Sequence, residues 1–242
     1  DNLVNEKILA IEMGYGFRSK RFSLNSNGYI TRWENRPLPY GLSVPDPLDP
    51  SEFIRVNVPG MDAIHMGIET DFAVILHKKI SLEGMVSIGD WRWDSKEDIV
   101  IYSDTISFDA RGVHVGDAAQ STYAASLRYA FVKNGYLKLK YTFFDRYYSD
   151  FNPNSLSGAT SGKDSWRIPS YGLLSIHAGY TVRFEKSQLS FKANIFNALN
   201  SIYISDARNN YHLDGSADFD ANSATVFIGQ GLRFNVSVGF QF

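Results

Sequence analysis

The sequence predicts an all-β fold of about nine long antiparallel strands, the class to which the wall of a transmembrane β-barrel belongs. Three observations lead there. Apolar and polar residues alternate over long segments, short and long connections alternate between those segments, and aromatic residues reach 14% beside 19 glycines. Each has a physical cause. Strand side chains point to two faces in turn, so a wall between lipid and water must alternate in polarity. A strand that crosses hydrocarbon needs about ten tilted residues, more than the five or six usual in soluble sheets. Aromatic side chains suit strands, and glycine suits the tight turns between them.

The end of the chain is the clearest case. Leu232, Phe234, Val236, Val238, Phe240 and Phe242 share one face, and Arg233, Asn235, Ser237, Gly239 and Gln241 share the other. The same alternation predicts strands over 5–18, 62–76, 79–93, 171–184 and 188–200, and more weakly over 121–132 and 135–148. The least regular segment is 21–33, where Phe22, Leu24 and Ile30 fall on one face. Short turns are expected near Ser19–Lys20, His77–Lys79, Lys133–Asn134 and Glu185–Ser187. Long connections are expected over 34–61, 94–120, 149–170 and 204–223. That is the pattern of short periplasmic turns and long external loops. Nine is an odd count, whereas bacterial single-chain barrels have even ones, so part of the barrel is expected to be missing. The alternative is a further strand within a long loop, for which 100–107 (IYSDTISF) is the best candidate.

Composition removes several classes. The net charge of -2 supplies no basic field for nucleic acid, and with 0 cysteines there is no disulfide, thiol catalyst or thiolate metal site. No run of eighteen apolar residues exists to form a spanning helix. The N-terminus lacks a signal peptide's basic and apolar regions, so an exported protein has lost one or the chain begins partway through a longer protein. Gly158–Asp164 resembles a phosphate loop, but it is one residue short and places Asp164 where Ser or Thr should stand. Asp214, Asp218, Asp220 and Asn222 are dense enough for Ca²⁺ but lack the EF-hand spacing, and a solvated loop is the default. No catalytic pair, cofactor site or metal site is expected.

Specific strings point further. The segments 113–153, 168–184 (IPSYGLLSIHAGYTVRF), 189–207 (LSFKANIFNALNSIYISDA) and 231–242 (GLRFNVSVGFQF) resemble TonB-dependent outer-membrane receptors. The resemblance is strongest to the regulatory-domain-containing receptors of Bacteroidetes. It rests most on Asn194–Asn200 followed by Tyr203, and on the terminal Phe240 and Phe242. It implies that 1–242 is the C-terminal barrel portion, the last nine of about twenty-two strands. The plug and the earlier strands would then lie outside this chain. It also implies a bacterial outer-membrane location, lipid around the barrel, coupling to TonB, and uptake of a scarce solute such as a siderophore, vitamin, glycan or peptide. Two alternatives stay open: a small passive porin-like or structural barrel, and a soluble β-rich binding module.

Alternation also nominates residues. Glu12, Arg18, Glu69, Asp71, Glu83, Arg128, Lys138, Lys140, Lys192 and Arg233 are expected to face the lumen, because an Arg or Lys facing lipid costs about 2–4 kcal/mol at midplane. They would line a solute path, contact a plug, or form a hydrated wall. Trp91, Trp93, Tyr147 and Tyr148 fall at the outer strand ends, as members of an interfacial belt, as packing, or as a stacking surface for a ring-bearing ligand.

Overall fold

The computed structural model describes residues 5–36, 42–46, 48–56, 61–101, 104–151, 156, 158–209 and 220–242. Nine strands form one antiparallel meander in chain order: β1 (Lys7–Arg18), β2 (Phe22–Arg36), β3 (Met61–His77), β4 (Ile80–Trp93), β5 (Ala119–Val132), β6 (Gly135–Tyr148), β7 (Tyr171–Arg183), β8 (Gln188–Phe196) and β9 (Arg233–Gln241). β1 and β9 do not pair with each other, so the barrel is not closed. The four short turns fall where expected. Ser19 closes the first, its hydroxyl accepting from the Phe22 N–H at 3.1 Å, and Asn134 takes a left-handed φ of 66° in the third.

Register joins the strand patterns into two continuous faces. Phe17, Leu24, Phe72, Gly84, Ala125, Tyr141 and Leu174 are partners in one apolar row across seven strands. One residue along, Glu83, Ser126, Lys140 and Ser175 form a polar row. A one-residue slip in any pairing would exchange the faces, so this alternation fixes the register. The apolar face is bare: Met13, Val236 and Phe240 are 80%, 69% and 62% exposed. No second sheet covers it among the described residues, as a β-sandwich would require. Soluble monomers rarely expose contiguous apolar patches beyond a few hundred Å².

The long connections are more structured than their turn formers suggest. Leu42–Asp46 pairs with Asp49–Val56, and Lys96–Ile101 pairs with Asp104–Asp109. Of the candidate strand at 100–107, residues 100–101 and 104–107 belong to this hairpin of the long connection and add nothing to the nine-stranded sheet. Packing concentrates at this end. Trp93, Ala110, Val113, Val115, Tyr147, Tyr148, Phe151, Leu156, Ile168 and Ala207 are all buried, whereas the mid-strand apolar residues are not.

The strand expected over 188–200 stops at Phe196. Asn197 and Asn200 adopt φ of 48° and 49°, the left-handed region that asparagine tolerates better than most residues. Their side chains use the turn. Asn197 is buried; its amide donates to the carbonyls of Ser201 and Gln230 at 2.9 and 3.2 Å and accepts from the Ser201 N–H at 2.9 Å. Asn200 accepts from the Leu232 N–H at 3.0 Å, pinning the turn to the start of β9. Asn197→Ala is expected to cost about 1–3 kcal/mol by orphaning these groups, read as a lower urea midpoint of the lipid-inserted protein.

Candidate functional site

All ten charged residues nominated above lie on the polar face. Glu12 opposes Tyr29, and Arg18 opposes Ser23. Asp71 accepts from the Asn25 amide at 2.9 Å, and Glu69 accepts from Ser87 Oγ at 3.4 Å. Lys138 Nζ lies 2.7 Å from Glu83 Oε2, which also accepts from Ser126 at 3.1 Å. The Arg128 guanidinium stacks 4.6 Å from the Tyr136 ring, and that of Arg233 lies 5.3 Å from Phe196. Lys140 lies between Ser126 and Ser175, and Lys192 between Gly179 and Ser237. A groove of about 630 Å³ opens on this face, lined in part by Asn25, Asn27, Glu69, Asp71, Ser87 and Trp91.

The four nominated aromatics sit at the long-loop end, where Trp93, Tyr147 and Tyr148 are buried and Trp91 is half-buried. Trp91 shares the polar face with Trp33 and His65. Its ring stacks 5.5 Å from His65, which lies 5.4 Å from Trp33, and its Nε1 donates to the Tyr29 hydroxyl at 2.8 Å. Trp93 is buried and meets Phe151 edge-on, with the Arg36 guanidinium 5.5 Å from its ring. Strict alternation would put Tyr147 and Tyr148 on opposite faces, yet both are buried; Arg146, just before them, has a left-handed φ of 52°.

Tyr148 leads to a second feature that periodicity could not reveal. The His114 ring stacks flat on it at 3.9 Å, while Nδ1 lies 2.6 Å from Asp164 Oδ2 and the backbone N–H donates to Oδ1 at 2.8 Å. The run that imitated a phosphate loop thus delivers Asp164 to His114, fifty residues away in the chain. Burial opposes ionisation of Asp164, but the bonds from His114 outweigh it and hold its carboxyl below the ordinary value. Backbone bonds from Asp109 to Leu156 (2.9 Å) and from Gly162 to Asp109 (2.7 Å) add to the seam. A Cβ on Gly116 would strike the backbone of Ser149 and Asp150 at 2.8 Å, so the two loops approach backbone to backbone. The last loop joins through Asp150–Phe151, which pairs parallel to Arg208–Asn209, and through Tyr147, whose hydroxyl donates to the Ser205 carbonyl at 3.0 Å. Three long loops thereby form one platform. Of the acidic residues weighed for calcium, Asp220 caps a 3₁₀ turn over Ala221–Ser223, and Asp214 and Asp218 lie outside the described residues.

The platform carries a pH dependence. Burial first, then the neighbouring Asp117, push Asp150 up to about 6, and Asp117 is itself raised by burial and Asp206. An unfolded Asp titrates near ~3.9. The folded platform therefore binds the proton more tightly, and its stabilisation is fully present below about pH 4 and lost as pH rises through about 6. Amides around 149–151 and 204–208 are expected to exchange faster at pH 7.5 than at pH 5 after intrinsic-rate correction. Asp150→Asn should remove most of the difference.

An open antiparallel sheet with one apolar and one charged face, short turns at one end and knit loops at the other, defines a segment of outer-membrane-type barrel wall. The TonB dependent receptor-like β-barrel family model matches residues 1–198, and the chain belongs to that family. No curated protein matches it. Among solved structures, the ferric citrate transporter FecA in its unliganded form superposes with a TM-score of 0.66 at 15% identity, over 97% of this chain and 31% of that one. The ferric yersiniabactin uptake receptor FyuA of Yersinia pestis gives 0.62 at 14%, over 98% and 30%. The ferric preacinetobactin receptor BauA of Acinetobacter baumannii gives 0.60 at 18%, over 98% and 30%. This chain thus spans less than a third of the length of those receptors.

Proposed function

We propose that this chain supplies wall strands and external loops to an energy-coupled uptake receptor of the bacterial outer membrane. The observation that carries the reading is the two-faced sheet, apolar on one side and polar on the other through the body of nine paired strands, beneath a knit loop platform. On this reading the apolar face meets lipid, and the polar face, with the ten charged residues, lines the lumen. The platform forms part of the surface that captures a solute. A plug beyond these residues and TonB in the inner membrane would supply gating and energy. The named ferric-chelate receptors among the structural neighbours make ferric chelates the first solute class to test.

The test uses the full-length gene product in its native host. It should fractionate with the outer membrane, and its deletion should abolish uptake of one member of a panel of labelled ferric chelates, cobalamin, oligosaccharides and peptides. That uptake should stop when an uncoupler collapses the inner-membrane gradient. Permeation set by solute size and indifferent to the uncoupler would make the protein a passive pore and sink this reading.

A further inference from the structure

The short-turn end of the sheet carries an unbalanced charge. Its four turns hold Lys20 and Arg21, Lys78 and Lys79, Lys133, and Lys186, with Glu185 as their one carboxylate. All six cations are exposed, and none forms an ion pair among the described residues. The loop end is different. There Arg92 pairs with Asp90 at 2.9 Å, Arg167 with Asp145 at 2.6 Å, and Arg32 with Glu34 at 3.2 Å.

An exposed lysine needs no partner, so no single one of these cations is informative. Their common level is. Phe17, Leu76, Phe131 and Phe184 stand at or next to the ends of the strands that lead into the four turns, continue the apolar alternation, and are exposed. An apolar level is thus followed at once by a cationic one at every turn. The row is also wide. Consecutive turns are two strands apart, about 10 Å at ~4.8 Å per strand, and the first and fourth stand roughly 30 Å apart. Salt screens a charge within ~8–10 Å, so a soluble anion at one turn leaves the next unanswered.

A layer of anions at one depth, bordered by hydrocarbon, answers all four turns together. Phospholipid headgroups beside their acyl chains have that arrangement, and Lys and Arg side chains suit it because the stem packs on apolar surface while the charge reaches outward. A zwitterionic headgroup brings its own cation, so an unbalanced basic row favours lipids of net negative charge. We infer that the short-turn end binds anionic glycerophospholipids, gathering them from the leaflet around it. The inference rests on the reading above, in which the apolar face meets lipid, and it places the short turns at the periplasmic leaflet.

The full-length gene product in nanodiscs, whose two faces are both open, tests this. The discs contain phosphatidylcholine alone or with phosphatidylglycerol, and acetylation of each lysine by a neutral reagent is followed by mass spectrometry. Lys20, Lys78, Lys79, Lys133 and Lys186 should react about fivefold more slowly with phosphatidylglycerol present. That protection should vanish near 1 M salt, where the screening length falls to ~3 Å. Lys163, exposed at the loop end, reports the general effect of a charged bilayer and should change less. Spin-labelled phosphatidylglycerol should be immobilised at the protein surface in preference to spin-labelled phosphatidylcholine, and glutamine at all six basic positions should abolish the preference. If that variant fails to insert, Lys78→Gln with Lys79→Gln should lose part of it. Equal rates in the two discs, or equal protection of Lys163 and the turn lysines, would overturn the inference. So would inorganic phosphate reproducing the protection in phosphatidylcholine discs, which would assign the turns to a free anion. Protection found in native outer membranes but not in phosphatidylglycerol discs would also overturn it, by assigning them to a protein or glycan partner. Energy-coupled uptake alongside any of these results would leave the receptor reading standing, whereas failure of the protein to enter discs at all would remove that reading.

Discussion

Leu139→Arg is expected to destabilise the lipid-inserted sheet by about 2–4 kcal/mol, the cost of a guanidinium facing hydrocarbon near midplane. Leu139 lies mid-strand on β6 between Leu127 and Ile176, on the face that carries Tyr141 and Ile195. The residues on either side of it, Lys138 and Lys140, already bear charge, so the penalty comes from the face and not from the strand. Thr181→Arg, on the polar face opposite Ser190, should cost less than about 1 kcal/mol. Urea midpoints in phospholipid vesicles compare the two directly. Equal penalties would mean that the sheet does not separate lipid from water as described.

The second large effect belongs to the loop platform. Ile168 is fully buried and packs with Tyr147 and Ala207, with Ala119, Trp166, Tyr171 and Ile204 around them. Ile168→Ala leaves a cavity in the small core that joins strand ends to two loops, and about 2–5 kcal/mol is expected. The loss should be local. The mid-strand residues make no contribution to that core, so protease nicking within 158–170 and 201–209 should rise while the membrane strands keep their protection. Loss of both together would show that the platform and the sheet fold as one unit.

How far the sequence revealed this molecule depends on the range of the interactions. The strands were legible because lipid imposes a period of two on each of them, and β6 occupies the range 135–148 expected for it. The two faces were legible for the same reason, which is why the ten charged residues could be nominated without knowing a single contact. The turn at Asn197 was not. Alternation holds from Leu189 to Ile195 and lapses over Phe196–Asn200, but a lapse alone places no turn; the left-handed backbone at both asparagines ends the strand. The platform was hidden more deeply. His114 and Asp164 meet across loops with no periodic signal, and Asp150 is raised by burial and then by an acidic neighbour, Asp117, far away in the chain. Turn formers marked these segments as connections but could not show that three of them pack together.

The arrangement assigns precision and tolerance to different ends of the molecule. Lipid contact asks the sheet only for apolar area, and most of its apolar side chains remain exposed within the chain. The loop end asks for specific partners: a histidine stacked on a tyrosine, a carboxylate on that histidine, and glycine where two backbones meet. On the proposed reading, in which these loops capture a solute, their pre-ordering avoids the entropic cost of ordering on binding.

Single-cysteine scanning of β9 tests the central claim most directly, because the chain has 0 cysteines of its own. Cysteine is placed in turn at each residue from Phe234 to Phe240 in the lipid-inserted full-length protein, with any cysteine beyond these 242 residues replaced by serine. Each variant is labelled with a fluorophore and exposed to a quencher confined to the acyl chains, and separately to a water-soluble one. Positions 234, 236, 238 and 240 should be quenched from lipid, and positions 235, 237 and 239 from water. Uniform access to the aqueous quencher, or the same alternation with its phase reversed, would contradict the account.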